Sequence, residues 1–180
     1  MGIMKIGLGV LGAVVLCVGM LGCNQQQINV ISQQAGIVSV ATWMSVDNPT
    51  DEQKAAANGV VALIKEKASL VTSNSSYYAT LMPIVSKYID SKVQPKDQLI
   101  CRLAGGWALT GIDTLMAMNP EWLTKQAIAA GAVGSFCDGA MMGLGMTRDN
   151  PVIQAAMKAS KARTRILEMD AIKQRSQIKR

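Results

Sequence analysis

The chain has 180 residues, carries a formal net charge of +6 and contains no histidine. Because histidine is the commonest metal ligand and the commonest general base, its absence argues against a zinc site and an ordinary hydrolase. Hydrophobic residues make up 49% of the sequence but aromatic residues only 4%, so a core must be built mainly from Ala, Val, Ile, Leu and Met. That composition favours helix-on-helix packing over a β-sheet.

The first element is an uncharged apolar run, Ile6–Leu21, which follows Lys5. A basic start, a short apolar core and a small residue before the break are typical of a secretory signal. The run closes with Leu21-Gly22-Cys23, which resembles the lipobox of bacterial lipoprotein precursors. This resemblance covers residues 1–23 and implies cleavage before Cys23, with lipid on its thiol and on the new amino terminus. The alternative is an uncleaved membrane anchor, because the run is close to the lower limit of about 17 residues for spanning a bilayer.

Residues 1–22 are thus expected to be the signal peptide, and the next residue indicates where the protein goes. Asn24 follows the candidate lipid cysteine, whereas an Asp there usually keeps a Gram-negative lipoprotein in the inner membrane. The resemblance therefore implies an outer-membrane anchor with the protein facing the periplasm. We expect a polar tether over residues 23–27, one helical domain over residues 28–157 and a basic helical extension over residues 158–180.

Apolar residues recur at helical spacing through the first part of the domain. The pattern predicts helices over residues 28–44, 50–71 and 77–93. Thr50 and Gln53 fit a capping box at the start of the second helix, where each side chain would accept a hydrogen bond from the other residue's backbone. Pro83 lies inside the third helix and is expected to kink it or to mark a late start.

Two Asn-Pro pairs divide the second part of the domain. Helices are predicted over residues 96–117 and 120–143 with a turn at Asn119-Pro120, because Asn caps a helix and Pro suits its first position. Asn150-Pro151 repeats that signal, and a last helix is predicted to run to near Ser176. The expected fold class is therefore all-α, a small bundle of about five helices followed by a basic C-terminal helix.

Cys101 and Cys137 are expected to join the two helices that flank Asn119. Each cysteine lies 18 residues from Asn119, so the two would face each other in an antiparallel hairpin. Small residues would let the backbones approach closely enough for a disulfide, which persists in an oxidising compartment. The alternative is two buried, inert thiols, and a reactive cysteine is disfavoured because it would lack a histidine partner. The small residues are Gly105, Ala108 and Gly111 before the turn and Ala127, Ala130 and Gly134 after it.

A second stripe of small residues recurs at every fourth position of the predicted helix 120–143. It resembles glycine-zipper segments, in which helices pack closely in membranes or oligomers. The alternative is a crowded helix in a soluble bundle, because Asp138 would be costly in lipid. Arg102 and Asp138 each follow one of the paired cysteines, so we expect an ion pair across the hairpin. The stripe comprises Ala127, Gly131, Ser135, Gly139 and Gly143.

Charge is concentrated at the C-terminus. Residues 1–157 carry ten basic and ten acidic side chains, so the whole net charge lies in residues 158–180. An anionic partner is expected for this segment: lipid headgroups, an acidic envelope polymer or an acidic protein. The alternative is a solvated helix end. The basic side chains are Lys158, Lys161, Arg163, Arg165, Lys173, Arg175, Lys179 and Arg180.

These features predict a non-catalytic, lipid-anchored envelope protein with a structural or interaction role. Its expected partners are the membrane, through lipid on Cys23, and an anionic surface or envelope protein; a homo-oligomer would also suit the small-residue stripe. Nucleic acid is not expected, because an exported protein seldom meets it, and no cofactor is expected beyond the covalent lipid. The alternative function is a membrane-inserting oligomer, such as a pore or lysis component, built on the small-residue helix.

Overall fold

The computed structural model describes residues 25–71, 75–123, 126–147, 149–151 and 153–155, together with Lys158 and Ala162. These described residues contain six α-helices and no β-strand, which confirms the all-α bundle. The helices are α1 (Gln25–Asp47), α2 (Asp51–Lys67), α3 (Tyr77–Lys92), α4 (Gln98–Met118), α5 (Pro120–Leu123) and α6 (Gln126–Gly145). Two 3-10 turns, Ala68–Leu70 and Pro95–Asp97, follow α2 and precede α4.

The first helix begins earlier than the sequence pattern predicts. Gln25–Gln27, which we expected in the tether, form the first turn of α1. The Gln25 side-chain amide donates a hydrogen bond to Asn29 Oδ1 at 3.0 Å. Glutamine is a good helix former, but a helix end is stable only when it packs against something. Here the partner is α6, where a Cβ added at Gly131 would lie 2.6 Å from Gln25 Nε2.

The capping box predicted at the start of α2 is confirmed. Thr50 Oγ1 accepts a hydrogen bond from the Gln53 backbone N–H at 3.3 Å, and Gln53 Oε1 accepts one from the Thr50 N–H at 2.9 Å. An acidic first turn suits the positive end of the helix dipole. A hydrogen bond and the positive charge of Lys54 hold the pKa of the exposed Asp51 carboxyl below its usual value.

Pro83 does not interrupt the third helix. It lies in the second turn of α3, which continues from Tyr77 to Lys92. The proline is exposed, so the opposite face of α3 stays available for the core. Ser76 starts the helix by accepting a hydrogen bond from the Ala79 N–H at 3.1 Å. The buried face consists of Tyr77, Leu81, Val85 and Ile89.

Helices α3 and α4 form an antiparallel pair. The turn at Pro95–Asp97 joins them, and their contacts run in opposite order along the chain. α4 also packs against α1 and α2, so it lies at the centre of the bundle. The cross-helix contacts are Asp113 with Tyr77, Gly105 with Val85 and Arg102 with Asp90.

Helices α1 and α6 run parallel and make the most extensive helix contact of the described bundle. Their backbones meet where each helix has a glycine. A Cβ on Gly36 would lie 2.0 Å from the Phe136 carbonyl oxygen, and one on Gly139 would lie 1.9 Å from that of Gln33. Real Cβ atoms essentially never come this close to another atom, so the crossing requires glycine on both sides.

The predicted disulfide-stapled hairpin of residues 96–117 and 120–143 is wrong. Cys101 and Cys137 are both buried, and neither forms a disulfide. The break at Asn119-Pro120 does occur, and the described residues after it form α5 and, from Gln126, α6. α6 then packs along α1 and touches α4 only sparsely, because its glycines fit the α1 backbone.

Candidate functional site

The packing order defines two ends of the bundle. Helix α6 follows α4 in the chain after α5, so the N-terminal end of α6 lies near the C-terminal end of α4. Because α1 and α6 run parallel, the N-terminal end of α1 lies there too. Asp113, near the C-terminal end of α4, accepts hydrogen bonds from the first N–H groups of α3. The turn Ala68–Leu70 contacts both α3 and α6. We call this the Gln25 end, and the opposite end, with Asp47, Pro95–Asp97 and Gly145, the Asn150 end.

Both ends expose large apolar side chains. At the Gln25 end, Leu70, Tyr78 and Met118 have 55%, 39% and 38% of their surface exposed. At the Asn150 end, Val46 is 47% and Leu99 71% exposed. The two ends differ in the chain segment attached to each. Residues 1–24 precede the helix that starts at the Gln25 end, and the basic segment follows the Asn150 end.

Asp113 was missed by the sequence analysis, although it joins α4 to α3. Its carboxylate accepts hydrogen bonds from the Ser76 hydroxyl at 2.5 Å and from the N–H groups of Tyr77 and Tyr78 at 2.7 and 3.1 Å. The first N–H groups of a helix lack partners within the helix and carry partial positive charge, which a carboxylate satisfies. Burial, with the Asp113 charge, raises the pKa of the Tyr77 hydroxyl. A signal was available, because Asp113 is the sole acidic residue of α4.

Two ion pairs replace the predicted Arg102–Asp138 pair. Arg102 pairs with Asp90 of α3. Asp138 accepts a hydrogen bond from Lys65 Nζ of α2 at 2.6 Å. Both pairs are partly exposed, so each contributes about 0–1 kcal/mol. The exchange of partners follows from the corrected topology, in which α4 lies beside α3 and α6 beside α1 and α2.

The predicted small-residue stripes pack helices closely, but against other partners. Gly105 contacts Val60 of α2 and Val85 of α3 rather than α6. Gly111 does approach α6, through the Phe136 ring. Ala108 is buried, Ala127 and Ala130 are exposed, and Gly134 and Ser135 are half-buried. The glycine-zipper positions Gly131, Gly139 and Gly143 contact Gln25, Gln33 and Val40 of α1.

Burial makes both cysteines poor nucleophiles. It raises the pKa of the Cys137 thiol to about 12, with the Asp138 charge adding to the effect and Lys65 opposing it. Burial and the Asp97 charge also raise the pKa of the Cys101 thiol. The thiolate is the form that attacks electrophiles and binds metals, so burial disfavours the reactive form of both groups. Among the described residues, no group of three or more His, Cys, Asp or Glu could hold a metal ion.

An apolar pocket lies among α1, α2, α4 and α6 at the centre of the bundle. Trp43, Trp107, Phe136 and Leu144 line it, and none of its lining residues is ionisable. A cofactor site usually combines an apolar wall with a few convergent polar groups. The Ser39 hydroxyl is the sole side-chain hydrogen-bonding group in the lining other than the indole N–H groups, so this pocket does not have that character.

The predicted lipid site and most of the basic surface lie outside the described residues. This applies to Cys23 and to Lys161, Arg163, Arg165, Lys173, Arg175, Lys179 and Arg180. Lys158, the first residue of that surface, is described and exposed. Shortly before it, Ile153 is fully buried, and the Gln154 N–H donates to the Asn150 carbonyl at 2.9 Å. The chain just before the segment is therefore packed on the Asn150 end of the bundle through Ile153.

One stretch of α6, Ala127–Gly145, is long and apolar enough to cross a membrane by length and composition alone. Half of it is buried inside the bundle, and the core helix of a soluble protein passes the same test. No family model, curated protein or solved structure matches this chain. Function must therefore be inferred from the chain's own features: its N-terminal apolar run, the two ends of the bundle and the basic segment.

Proposed function

We propose that this chain is a lipid-anchored envelope protein that acts by interaction rather than by catalysis. The observation that carries the proposal is that the described helical bundle starts at Gln25, two residues after Cys23 of the lipobox-like Leu21-Gly22-Cys23. A lipoprotein precursor has this order: a signal, a lipidated cysteine and a folded domain. Asn24 favours the outer membrane, with the bundle in the periplasm.

The ionisable groups of the bundle support a non-catalytic role. Asp90, Asp113 and Asp138 each bind a neighbouring helix. Burial keeps the Cys137 thiol neutral. A catalytic centre needs a base, a nucleophile and stabilising donors that converge on a pocket, whereas these groups are engaged in holding helices together.

The basic segment supports an anionic partner in the envelope. It carries the whole net charge of the chain, and it starts from a docked turn at Ile153 rather than from a free end. A fixed origin limits the volume that the segment explores and so raises its local concentration near a surface that holds the bundle. The partner that suits this charge is a lipid headgroup layer, an acidic envelope polymer or an acidic protein.

The lipid attachment is tested by isolating the full chain from bacterial membranes and measuring its intact mass. The expected product begins at Cys23 and carries lipid, whereas Cys23→Ser should accumulate as an unprocessed precursor. The same preparation reports co-purifying envelope proteins by mass spectrometry. A wild-type chain that still begins at Met1 would overturn the lipoprotein proposal and leave an uncleaved anchor.

The basic segment is tested by co-sedimentation with anionic vesicles and with isolated cell wall. The intact protein is compared with a chain that ends at Lys158, which keeps the buried Ile153. Binding should be weaker for the shortened chain and should fall with added salt, because exposed charges are screened over about 8 Å at physiological ionic strength. Equal, salt-independent binding by both chains would identify the segment as a solvated end.

A second candidate function is a membrane-inserting oligomer of the pore or lysis type, which the composition of α6 favours. In the bundle, however, Gly131, Gly139 and Gly143 of α6 already contact α1. Insertion would therefore require α6 to leave α1. A detergent-requiring, protease-resistant oligomer would support this candidate, whereas a soluble monomer made without residues 1–22 would support the first.

A further inference from the structure

The connection between the N-terminal anchor and the bundle is very short. Two residues, Cys23 and Asn24, lie between the predicted signal peptide and Gln25, the first residue of α1 that the structure describes. An extended chain spans at most about 3.6 Å per residue, so Gln25 lies within about 7 Å of Cys23. Three of the five residues of the expected polar tether, Gln25–Gln27, are helical instead. The bundle therefore starts close to the surface at which the anchor ends.

The start of α1 is also fixed to the rest of the bundle. Gln25 packs over Gly131 of α6, close enough that a Cβ there would lie 2.6 Å from its side-chain nitrogen. Its amide donates to Asn29 Oδ1 within α1 at 3.0 Å, and Ile28 in the same turn is buried in the core. The first turn of α1 is therefore packed as part of the bundle. The other elements of the Gln25 end are held close to the membrane surface at which the anchor ends.

Those elements carry side chains that suit a lipid boundary. Leu70 and Met118 are apolar and exposed, and Tyr78 combines an apolar ring with a polar hydroxyl. Aromatic side chains of this kind are enriched at the membrane–water interface. At this end Asp113 of α4 is bound to the start of α3, and the exposed Glu66 near Leu70 pairs with Lys67.

We propose that the Gln25 end of the bundle rests on the anchoring bilayer, with Leu70, Tyr78 and Met118 at the headgroup boundary. This inference rests on the proposed membrane attachment, and it holds for a lipidated Cys23 and for an uncleaved anchor alike. The bundle then stands on the membrane: α1 is about 33 Å long at 1.5 Å per residue, so the Asn150 end lies far from the lipid. The basic segment starts from that distant end.

In the test, a fluorescent label is attached to the full chain at the Gln25 end or at the Asn150 end of the bundle. The labelled protein is then reconstituted in vesicles that contain a quencher bound to the lipid headgroup. Leu70→Cys marks the Gln25 end, and Leu99→Cys, the same residue type with greater exposure, is the matched control at the Asn150 end. Met118→Cys and Val46→Cys form a second matched pair. The buried Cys101 and Cys137 should resist labelling in the folded protein. Cys17 and Cys23 keep their thiols if the anchor is uncleaved, so the label and quenching measured on the unsubstituted chain are subtracted from those of each variant.

Quenching should be several-fold stronger at Leu70 than at Leu99, and stronger at Met118 than at Val46. Equal quenching within either pair, or stronger quenching at Leu99 or Val46, would overturn the proposal. Flotation of the unlabelled chain with the vesicles separates the two levels of inference. A chain that fails to float contradicts the membrane attachment itself, whereas a chain that floats without a difference between the ends contradicts the contact alone.

Discussion

At Gly139 a single methyl group decides whether α1 and α6 can cross as they do. An Ala there would place its Cβ 1.9 Å from the Gln33 carbonyl oxygen, so the helices would have to separate. We expect Gly139→Ala to lower the free energy of unfolding by about 1–3 kcal/mol or more, the usual range for overpacking. Urea denaturation of a chain without residues 1–22 measures the change.

Gly145 offers a matched control on the same helix. A Cβ at Gly145 meets nothing within 4 Å. Gly145→Ala should therefore leave stability unchanged or raise it slightly, because Ala is the better helix former by about 1 kcal/mol. If Gly139→Ala and Gly145→Ala had the same unfolding midpoint, the close crossing of α1 and α6 would be contradicted.

The Cys137 thiol links stability to alkaline pH. Its pKa is raised to about 12 in the folded protein, from the ordinary 9.0. Below pH 9 the thiol is protonated in both states and contributes nothing to the pH dependence. Above pH 9 the unfolded state loses its proton first, so stability should fall as the pH rises from 9 towards 12. Cys137→Ala, compared with wild type at pH 8 and pH 10.5, should show a smaller alkaline loss; an identical loss would contradict the assignment.

Between elements, Asp113 is the contact most open to a simple test. Asp113→Ala removes the acceptor of the Ser76 hydroxyl and of two N–H groups at the start of α3. Losing a charged helix cap costs about 0.5–2 kcal/mol. We expect a drop of that size in the free energy of unfolding and faster amide hydrogen exchange at the start of α3.

Glu66→Gln is a suitable control for Asp113→Ala. Glu66 is exposed and pairs with the adjacent Lys67, so it joins no two helices. Its substitution should change stability by less than about 0.5 kcal/mol. If the two variants unfolded at the same urea concentration, Asp113 would not be the link between α3 and α4 that its hydrogen bonds indicate.

Local signals predicted the elements of this fold better than their arrangement. The Thr50–Gln53 capping box was readable because each group bonds within one turn of sequence. The pairing of the helices could not be predicted in this way. The equal spacing of Cys101 and Cys137 about Asn119 brings the two cysteines together only if both helices pack along each other from the turn. The Gly36–Gly139 crossing instead packs α6 against α1. Gly131, Gly139 and Gly143 of the predicted stripe contact α1, a helix about a hundred residues away in sequence, whereas Ala127 of the same stripe is exposed.

At the scale of the whole molecule, the turn at Asn150 separates the folded bundle from the basic segment. Ile153 is fully buried, so the chain just after Asn150 packs on the core through this side chain. A chain that ends at Lys158 keeps this contact, and we expect it to unfold at the same temperature as the intact chain. Its loss should appear in binding to anionic surfaces and not in stability.

If the folded bundle includes Ile153 but not the residues after Lys158, Ile153→Ala should lower the stability, whereas removing the residues after Lys158 should not. Truncating a fully buried Ile costs about 2–5 kcal/mol, because it removes apolar contacts and leaves a cavity. Leu99→Ala, at a side chain that is 71% exposed, is the control and should have little effect. Thermal unfolding of the four chains therefore locates the boundary. If removing residues after Lys158 destabilised the bundle as much as Ile153→Ala does, the basic segment would be part of the folded domain, and a role for it as a separate interaction surface would lose its structural basis.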